Sequence, residues 1–163
     1  MKQITGKLLK LGDNVNTAQI LPEQYHNIAD ASELARHVLE GYDCGLRAKI
    51  KRGKVLVAGS HFGCGPAPTP ATLALKAAGI SCIVAKSFGR AFFRHAINHG
   101  LLLIATDIVD KVNDGDDIAI NPEQGKITHP SGEMIFAPYP EFVRRIIQTG
   151  DLIAAVKKEL GKK

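Results

Sequence analysis

The chain has 163 residues, of which 45% are hydrophobic and 23% charged, with a formal charge of +5. These values describe an ordinary globular protein and exclude a disordered chain or a disulfide scaffold; no apolar run approaches the roughly 18 residues of a membrane span. A chain of this length folds by default as one domain, here residues 1–163, and hides about 68–70% of its unfolded surface.

In chain order, ITGKLLKLG alternates well enough to predict a first strand, and Gly12-Asp13-Asn14 is turn chemistry that ends it. A loop through Thr17 to Asn27 follows. Ser32 then reads as the N-cap of a helix through about Glu40, with Leu34, Val38 and Leu39 on one face and Gly41 past its end. Lys54 to Ala58 is a short apolar strand of the fully buried kind. Thr69-Pro70 predicts a helix start, because a threonine hydroxyl caps free amides and proline fits the first helical position; the helix runs to Ala78 and Gly79 closes it. Ile80 to Lys86 is the next strand. Ser87 reads as the cap of a helix carrying Phe88, Phe92, Phe93, Ala96 and Ile97, and Leu101 to Ala105 is a third buried strand. Strand, helix, strand, helix, strand predicts a parallel unit with right-handed crossovers.

After Asp107 the segments Val109 to Ile120, Gly125 to His129 and Glu133 to Phe136 are short and separated by Gly, Asn and Asp, which predicts a small β region. Helical patterns at Glu141 to Gln148 and Leu152 to Leu160, joined by Gly150, end the chain. The expected fold class is α/β, a parallel strand-helix-strand core with a small added β region. The N-terminus lacks the apolar stretch and cleavage site of a signal peptide, so the expected location is cytoplasmic.

Cys44, Cys64 and Cys82 show no CxxC spacing, which argues against a disulfide framework and a self-contained metal site. The positive charge is spread over Lys49, Lys51, Arg52, Lys54, Arg90, Arg94, Arg144, Arg145, Lys157, Lys158, Lys162 and Lys163, without the interleaved aromatics of a single-strand binder. No nucleic-acid partner and no membrane association are expected.

Gly63-Cys64-Gly65 ends a buried strand and feeds a helix, the usual place for a ligand in an α/β protein. The pattern is not a dinucleotide fingerprint, since Pro68 stands where the third glycine belongs, and no Gly-Lys-Ser/Thr follows to make a P-loop.

Gly59, Phe62, Gly63-Cys64-Gly65, then Ala71, Leu73-Ala74-Leu75-Lys76, Ala78-Gly79, then Ala85-Lys86-Ser87-Phe88, Arg90, Phe92, Arg94, Ala96-Ile97-Asn98 and Gly100 form a longer signature. It resembles the small subunits of 3-isopropylmalate dehydratases, the detached swivel domain of the aconitase family. Gly12 to Thr17 with Ile20 and Pro22, and Pro140, Phe142-Val143, Ile146 and Gly150 to Ile153, extend the resemblance over nearly the whole chain. The resemblance implies a swivelling β/β/α domain that closes over a large subunit holding a 4Fe-4S cluster, with no cofactor in this chain. It implies dehydration and rehydration of a hydroxy acid bearing carboxylates, a place in leucine biosynthesis, and an oligomer of heterodimers as one possible assembly.

By the same resemblance, a Ser-Ser-Arg-Glu-His run follows the glycine turn and supplies a serine base and an arginine clamp. This chain has Pro66-Ala67-Pro68-Thr69-Pro70 there, which can neither abstract a proton nor grip a carboxylate in bidentate fashion. Thr17-Ala18 stands where the family has Thr-Asp, and His61 where it has asparagine. The catalytic group is therefore unknown, with His61 as the candidate replacement base and a polar loop residue as its competing reading. Cys64 is either a reactive thiol or a packing residue. Thr69 either touches substrate or caps its helix. Gly63, Cys64, Gly65, Thr69, His26 and Asn27 form the candidate substrate-binding set, the last two lying where the family chooses among substrate side groups. His95 and His99, four residues apart, match metal-ligand spacing but lack a third ligand, so no metal site is expected. Two functions remain open: the lid subunit of a hydro-lyase, with altered substrate or mechanism as a variant, and a catalytically silent swivel subunit that regulates or stabilises its partner.

Overall fold

The computed structural model describes residues 1–50 and 54–161; Lys51, Arg52, Lys162 and Lys163 of the basic set lie outside the described residues. β1 (Ile4–Lys10) is the pivot of the architecture. It pairs in parallel with β2 (Val55–Ala58), which pairs with β3 (Cys82–Ala85) and that with β4 (Leu102–Ala105), all parallel. On its other edge β1 pairs antiparallel with β5 (Asp117–Asn121), followed by the antiparallel hairpins of β6 (Lys126–His129) and β7 (Gly132–Ile135). Among the described residues this makes one seven-stranded sheet in the order β4-β3-β2-β1-β5-β6-β7. The expected small β region is β5 to β7, which continues the parallel sheet through β1.

β2, β3 and most of β4 are buried on both faces, which is why they read as unbroken apolar runs. Leu9, Leu56, Ala58, Ile83, Ala85 and Leu103 point into one core cluster with Ala74, Leu75, Phe92 and Ala96 of the covering helices. The alternate residues Leu8, Val55, Val57, Cys82, Val84, Leu102 and Ile104 point into a second cluster, closed by Ile108, Val109, Ile118, Ile120 and Ile127. Strand period 2 separates the two sets, and each fully buried Leu, Ile or Val contributes about 1.5–3 kcal/mol. Cys82 sits in the second cluster, where burial pushes its thiol far above the ordinary range and leaves it unreactive.

The helices are α1 (Thr17–Ile20), α2 (Ala31–Arg36), α3 (Pro68–Ala77), α4 (Arg90–Asn98), α5 (Glu141–Thr149) and α6 (Leu152–Glu159). Several differ from the sequence expectation. The expected loop after Thr17 begins with α1, closed by a capping box in which Asn16 and Gln19 satisfy each other's backbone amides. The cap of α2 is Asp30, not Ser32: its carboxylate accepts from the amides of Ser32 (2.7 Å) and Glu33 (3.2 Å). That helix stops at Arg36, well before Glu40, and Leu39 turns to φ +59° as its N–H reaches the carbonyl of Ile20 at 2.7 Å. Leu34, Val38 and Leu39 are nonetheless buried together as the sequence pattern requires. The segment Val109 to Ile120 divides into a 3-10 turn (Ile108–Lys111) and β5. α5 and α6 meet at Gly150, in the left-handed region at φ +97°.

Candidate functional site

Three loops leave the carboxyl ends of neighbouring parallel strands and lock onto one another. Gly59 after β2 donates to the carbonyl of Gly12 after β1 (3.1 Å), and Asn14 donates to the carbonyl of Ser60 (2.8 Å). The Asp13 carboxylate accepts from Ser60 N–H at 2.7 Å. Gly63 donates to Val15 (2.7 Å), Thr17 donates to Cys64 (2.8 Å), and Phe62 donates to Ser87 in the loop after β3 (3.0 Å). Gly89 returns a bond to the carbonyl of Phe62 at 2.9 Å. The middle loop is thus clamped from both sides, with Phe62 fully buried against Phe88 and Phe92.

Two glycines make the clamp feasible. At Gly63, φ is +78° and a Cβ would stand 2.2 Å from the Phe92 ring; at Gly65, φ is +124° and a Cβ would stand 2.5 Å from the Thr17 hydroxyl. Cys64, between them, is half-buried and bridges to Asn16.

The five residues after the clamp behave differently. Pro68 and Pro70 occupy the first turn of α3, so two of its first three amides are missing and little remains there to cradle an anion. The N-cap is Ala67, with no side-chain cap. Thr69 does not cap: its hydroxyl lies 2.7 Å from Nδ1 of His95 on α4. The Thr72 hydroxyl donates to the carbonyl of Pro68 at 2.8 Å.

Ser87 likewise is not the cap of α4, which begins after Gly89 and leaves Phe88 outside the helix. Its hydroxyl instead accepts from the amide of His61 at 2.9 Å. Nδ1 of His99 donates to the carbonyl of His95 at 2.7 Å, so the two histidines are spent on α3 and α4 rather than converging as ligands. Among the described residues no three His, Cys, Asp or Glu side chains come together to hold a metal ion. Cys44 is exposed and Cys82 lies in the core; with Cys64 at the turn, the cysteines do not fit an iron–sulfur cluster of this chain's own.

Residues 2–107 match the model of the aconitase C-terminal domain. The chain belongs to that family. It is 41% identical over 158 residues to the 3-isopropylmalate dehydratase small subunit of Halothermothrix orenii, covering 95% of this chain and 96% of the relative. It is 42% identical over 162 residues to the isopropylmalate/citramalate isomerase small subunit of Methanocaldococcus jannaschii, covering 98% and 96%. A crystal structure of 3-isopropylmalate dehydratase from M. jannaschii superimposes with a TM-score of 0.91 at 36% identity, over 98% of this chain and 96% of that one. The swivelling α/β architecture of the aconitase C-terminal domain is the fold of this chain.

Within this aconitase-family fold the candidate residues divide. Gly63, Cys64 and Gly65 form the clamped turn. His61 stands on its rim, exposed, at φ +59°. Its ring makes no hydrogen bond among the described residues. His26 is half-buried, its Nε2 donating to the carbonyl of Leu21 at 3.1 Å, and Asn27 is exposed. No hydrogen bond among the described residues joins either to the turn; their link runs through α1, whose Thr17 packs on Gly65.

Sequence reasoning missed what holds that segment. Tyr25 stacks on His37 with ring centroids 3.6 Å apart, and Glu40 accepts from both Tyr25 (2.9 Å) and His37 (2.6 Å). The His37 and Tyr25 bonds hold the Glu40 carboxyl below its usual range. Thr17 and His95 were named for other reasons; their contacts with Gly65 and Thr69 were not foreseen. The Asn16-x-x-Gln19 capping box and the His37-x-x-Glu40 pair were the local signals; Tyr25 with Glu40, Thr17 with Gly65 and Thr69 with His95 are farther apart in the chain. A cavity of 650 Å³ opens near Leu8, Lys49 and Lys54, at the opposite end of β2 from the turn, and plays no part in this site.

Proposed function

We propose that this chain is the small, lid-forming subunit of a two-chain hydro-lyase that interconverts isopropylmalates or a closely related substituted malate, as in leucine biosynthesis. The observation that supports it best is the family likeness at 41–42% identity over nearly the full length of both chains. The 4Fe-4S cluster belongs to the large partner subunit, and its chemistry with it. The protein acts as one domain in the cytoplasm, and among its described residues no helix is long and apolar enough to cross a membrane.

This chain's own contribution is placement. The clamped turn presents the backbone of Gly63 to Gly65, with Cys64, toward the substrate side, and His26 and Asn27 border the substituent. Loss of water across a carbon–carbon bond needs a group to take the carbon-bound proton and return it. Pro66 to Pro70 offers none, so that task falls to His61 or to a residue of the partner. The exposed, unbonded imidazole of His61 is the chain's own candidate. Thr69, tied to His95, is left with a supporting role at the start of α3.

The test is co-expression with the large subunit from the same organism, purification of the complex, and assay of isopropylmalate dehydration and citraconate hydration by product analysis. Complex formation with turnover supports the proposal, and no complex refutes it. The lost base and clamp favour a second reading, a docked but silent subunit, and a complex without turnover would select it. Within an active complex, unchanged turnover in His61→Ala would transfer the proton-accepting role to the partner.

A further inference from the structure

A second charged surface lies beside the clamped turn. Arg90 and Arg94 occupy successive turns on the exposed face of α4, and neither makes an ion pair or hydrogen bond among the described residues. Their placement works against the helix. Arg90 stands at the first helical position, where the helix dipole disfavours a cation, and two like charges four residues apart repel. Neighbouring Lys86, by contrast, is neutralised by Asp110 at 2.8 Å.

The two guanidinium groups border a groove. One cavity of 470 Å³ runs between Phe88, Arg90, Phe93 and Arg94, and a second of 270 Å³ continues past Phe93 and Arg94 to Tyr139 and Val143. Phe88 and Phe93 are half-buried, so the groove has apolar walls and a cationic rim. It begins at Phe88, next to Ser87, whose hydroxyl holds His61, and therefore adjoins the turn that a partner must cover to complete a two-chain site.

We infer that this groove docks a segment of the large partner subunit that places carboxylate side chains against Arg90 and Arg94 and apolar side chains between Phe88, Phe93 and Val143. The inference rests on the two-chain reading above and adds to it the surface and chemistry of assembly. Charge complementarity selects an acidic segment. The apolar walls select a folded protein surface over a small free anion, which would leave Phe93 and Val143 uncovered.

The experiment measures affinity for the purified large subunit from the same organism by titration calorimetry at low and moderate salt. Arg90→Gln/Arg94→Gln is expected to bind roughly 30-fold more weakly or worse and with a shallower salt dependence. The same variant as a free chain is expected to melt at or above the wild-type temperature, because the repulsion within α4 is relieved; this separates docking from folding. Phe93→Leu, which keeps the core filled, is expected to weaken binding, whereas Lys157→Gln/Lys158→Gln on α6 removes equal charge and is expected to leave affinity within about threefold. Unchanged affinity of the double-arginine variant, or an equal loss in the α6 control, overturns the inference while the two-chain reading stands. Failure of the wild-type chain to bind overturns both.

Discussion

The segments Gly59 to Gly65 and Pro66 to Pro70 adjoin in sequence and obey opposite rules. In the first, most backbone amides and carbonyls up to Cys64 are bonded, chiefly to the loops after β1 and β3, and Gly63 and Gly65 face atoms that leave no room for a side chain. In the second, three prolines lack amide donors, the N-cap Ala67 has no side chain that can cap, and the hydroxyl available at Thr69 is bound to His95. The first segment is dictated by packing. The second makes a helix start and offers neither a proton acceptor nor a cationic clamp. Fold and chemistry are thus encoded in separate residues even where those residues are consecutive.

The largest expected effect tests the packed half of that contrast. Gly63→Ala forces a Cβ into the Phe92 ring and a non-glycine residue to φ +78°, and is expected to cost roughly 3–5 kcal/mol. Pro66→Ser, at an exposed position, is expected to change stability by about 0.5 kcal/mol or less. Urea unfolding of both variants measures the difference, and comparable stabilities would erase the distinction between the segments.

The second test addresses the chemical half. Replacing residues 66–70 together by Ser-Ser-Arg-Glu-His is expected to leave the free chain folded and, in complex with the large subunit, to raise turnover about 100-fold or more if a proton acceptor is what the native loop lacks. An equal or lower rate would show that His61 or the partner already performs that step with the native loop in place.

The same contrast explains what was legible in the sequence. The buried strands at Val55, Cys82 and Leu102 and the glycine turn announce themselves through local pattern, since strand period and turn chemistry act over a few residues. The pivot role of β1 does not, because nothing in ITGKLLKLG states that one edge meets a parallel strand and the other an antiparallel one. Thr69, Ser87 and Ser32 each resemble a helix cap. The first two bond instead to groups 26 residues away, and the third yields to Asp30 two residues earlier. A hydroxyl's local propensity is overridden whenever a distant partner is closer in space. The glycine turn was therefore legible as a position, and the wiring around it, Thr69 with His95 and Tyr25 with His37 and Glu40, was not.

A smaller effect isolates one such wire. Thr69→Val keeps the shape of the side chain and removes the bond to His95, and is expected to cost about 1 kcal/mol because a half-buried imidazole nitrogen is left without its partner. The His95 ring signals in an NMR spectrum should shift while those of the clamped turn stay in place. Movement of the turn signals would mean that the two segments are mechanically coupled after all.

The smallest effect concerns the latch on the segment carrying His26 and Asn27. Bonds from His37 and Tyr25 favour the charged form of Glu40, so its carboxyl titrates lower in the folded chain than in the unfolded one. The contribution is full above the ordinary carboxylate range and is lost as the pH falls through the lowered value. Because Glu40 is 36% exposed, the stabilisation is screened and should amount to about 0.5 kcal/mol or less. Glu40→Gln should therefore match the wild type in acid, fall slightly behind near neutral pH, and release the stacked pair of Tyr25 and His37. Its informative readout in the complex is selectivity rather than stability. If the latch positions the specificity segment, the ratio of kcat/KM for isopropylmalate to that for citraconate should shift several-fold with little change in melting temperature. An unchanged ratio would leave the latch as a local brace and move the choice of substituent to the partner's side of the site.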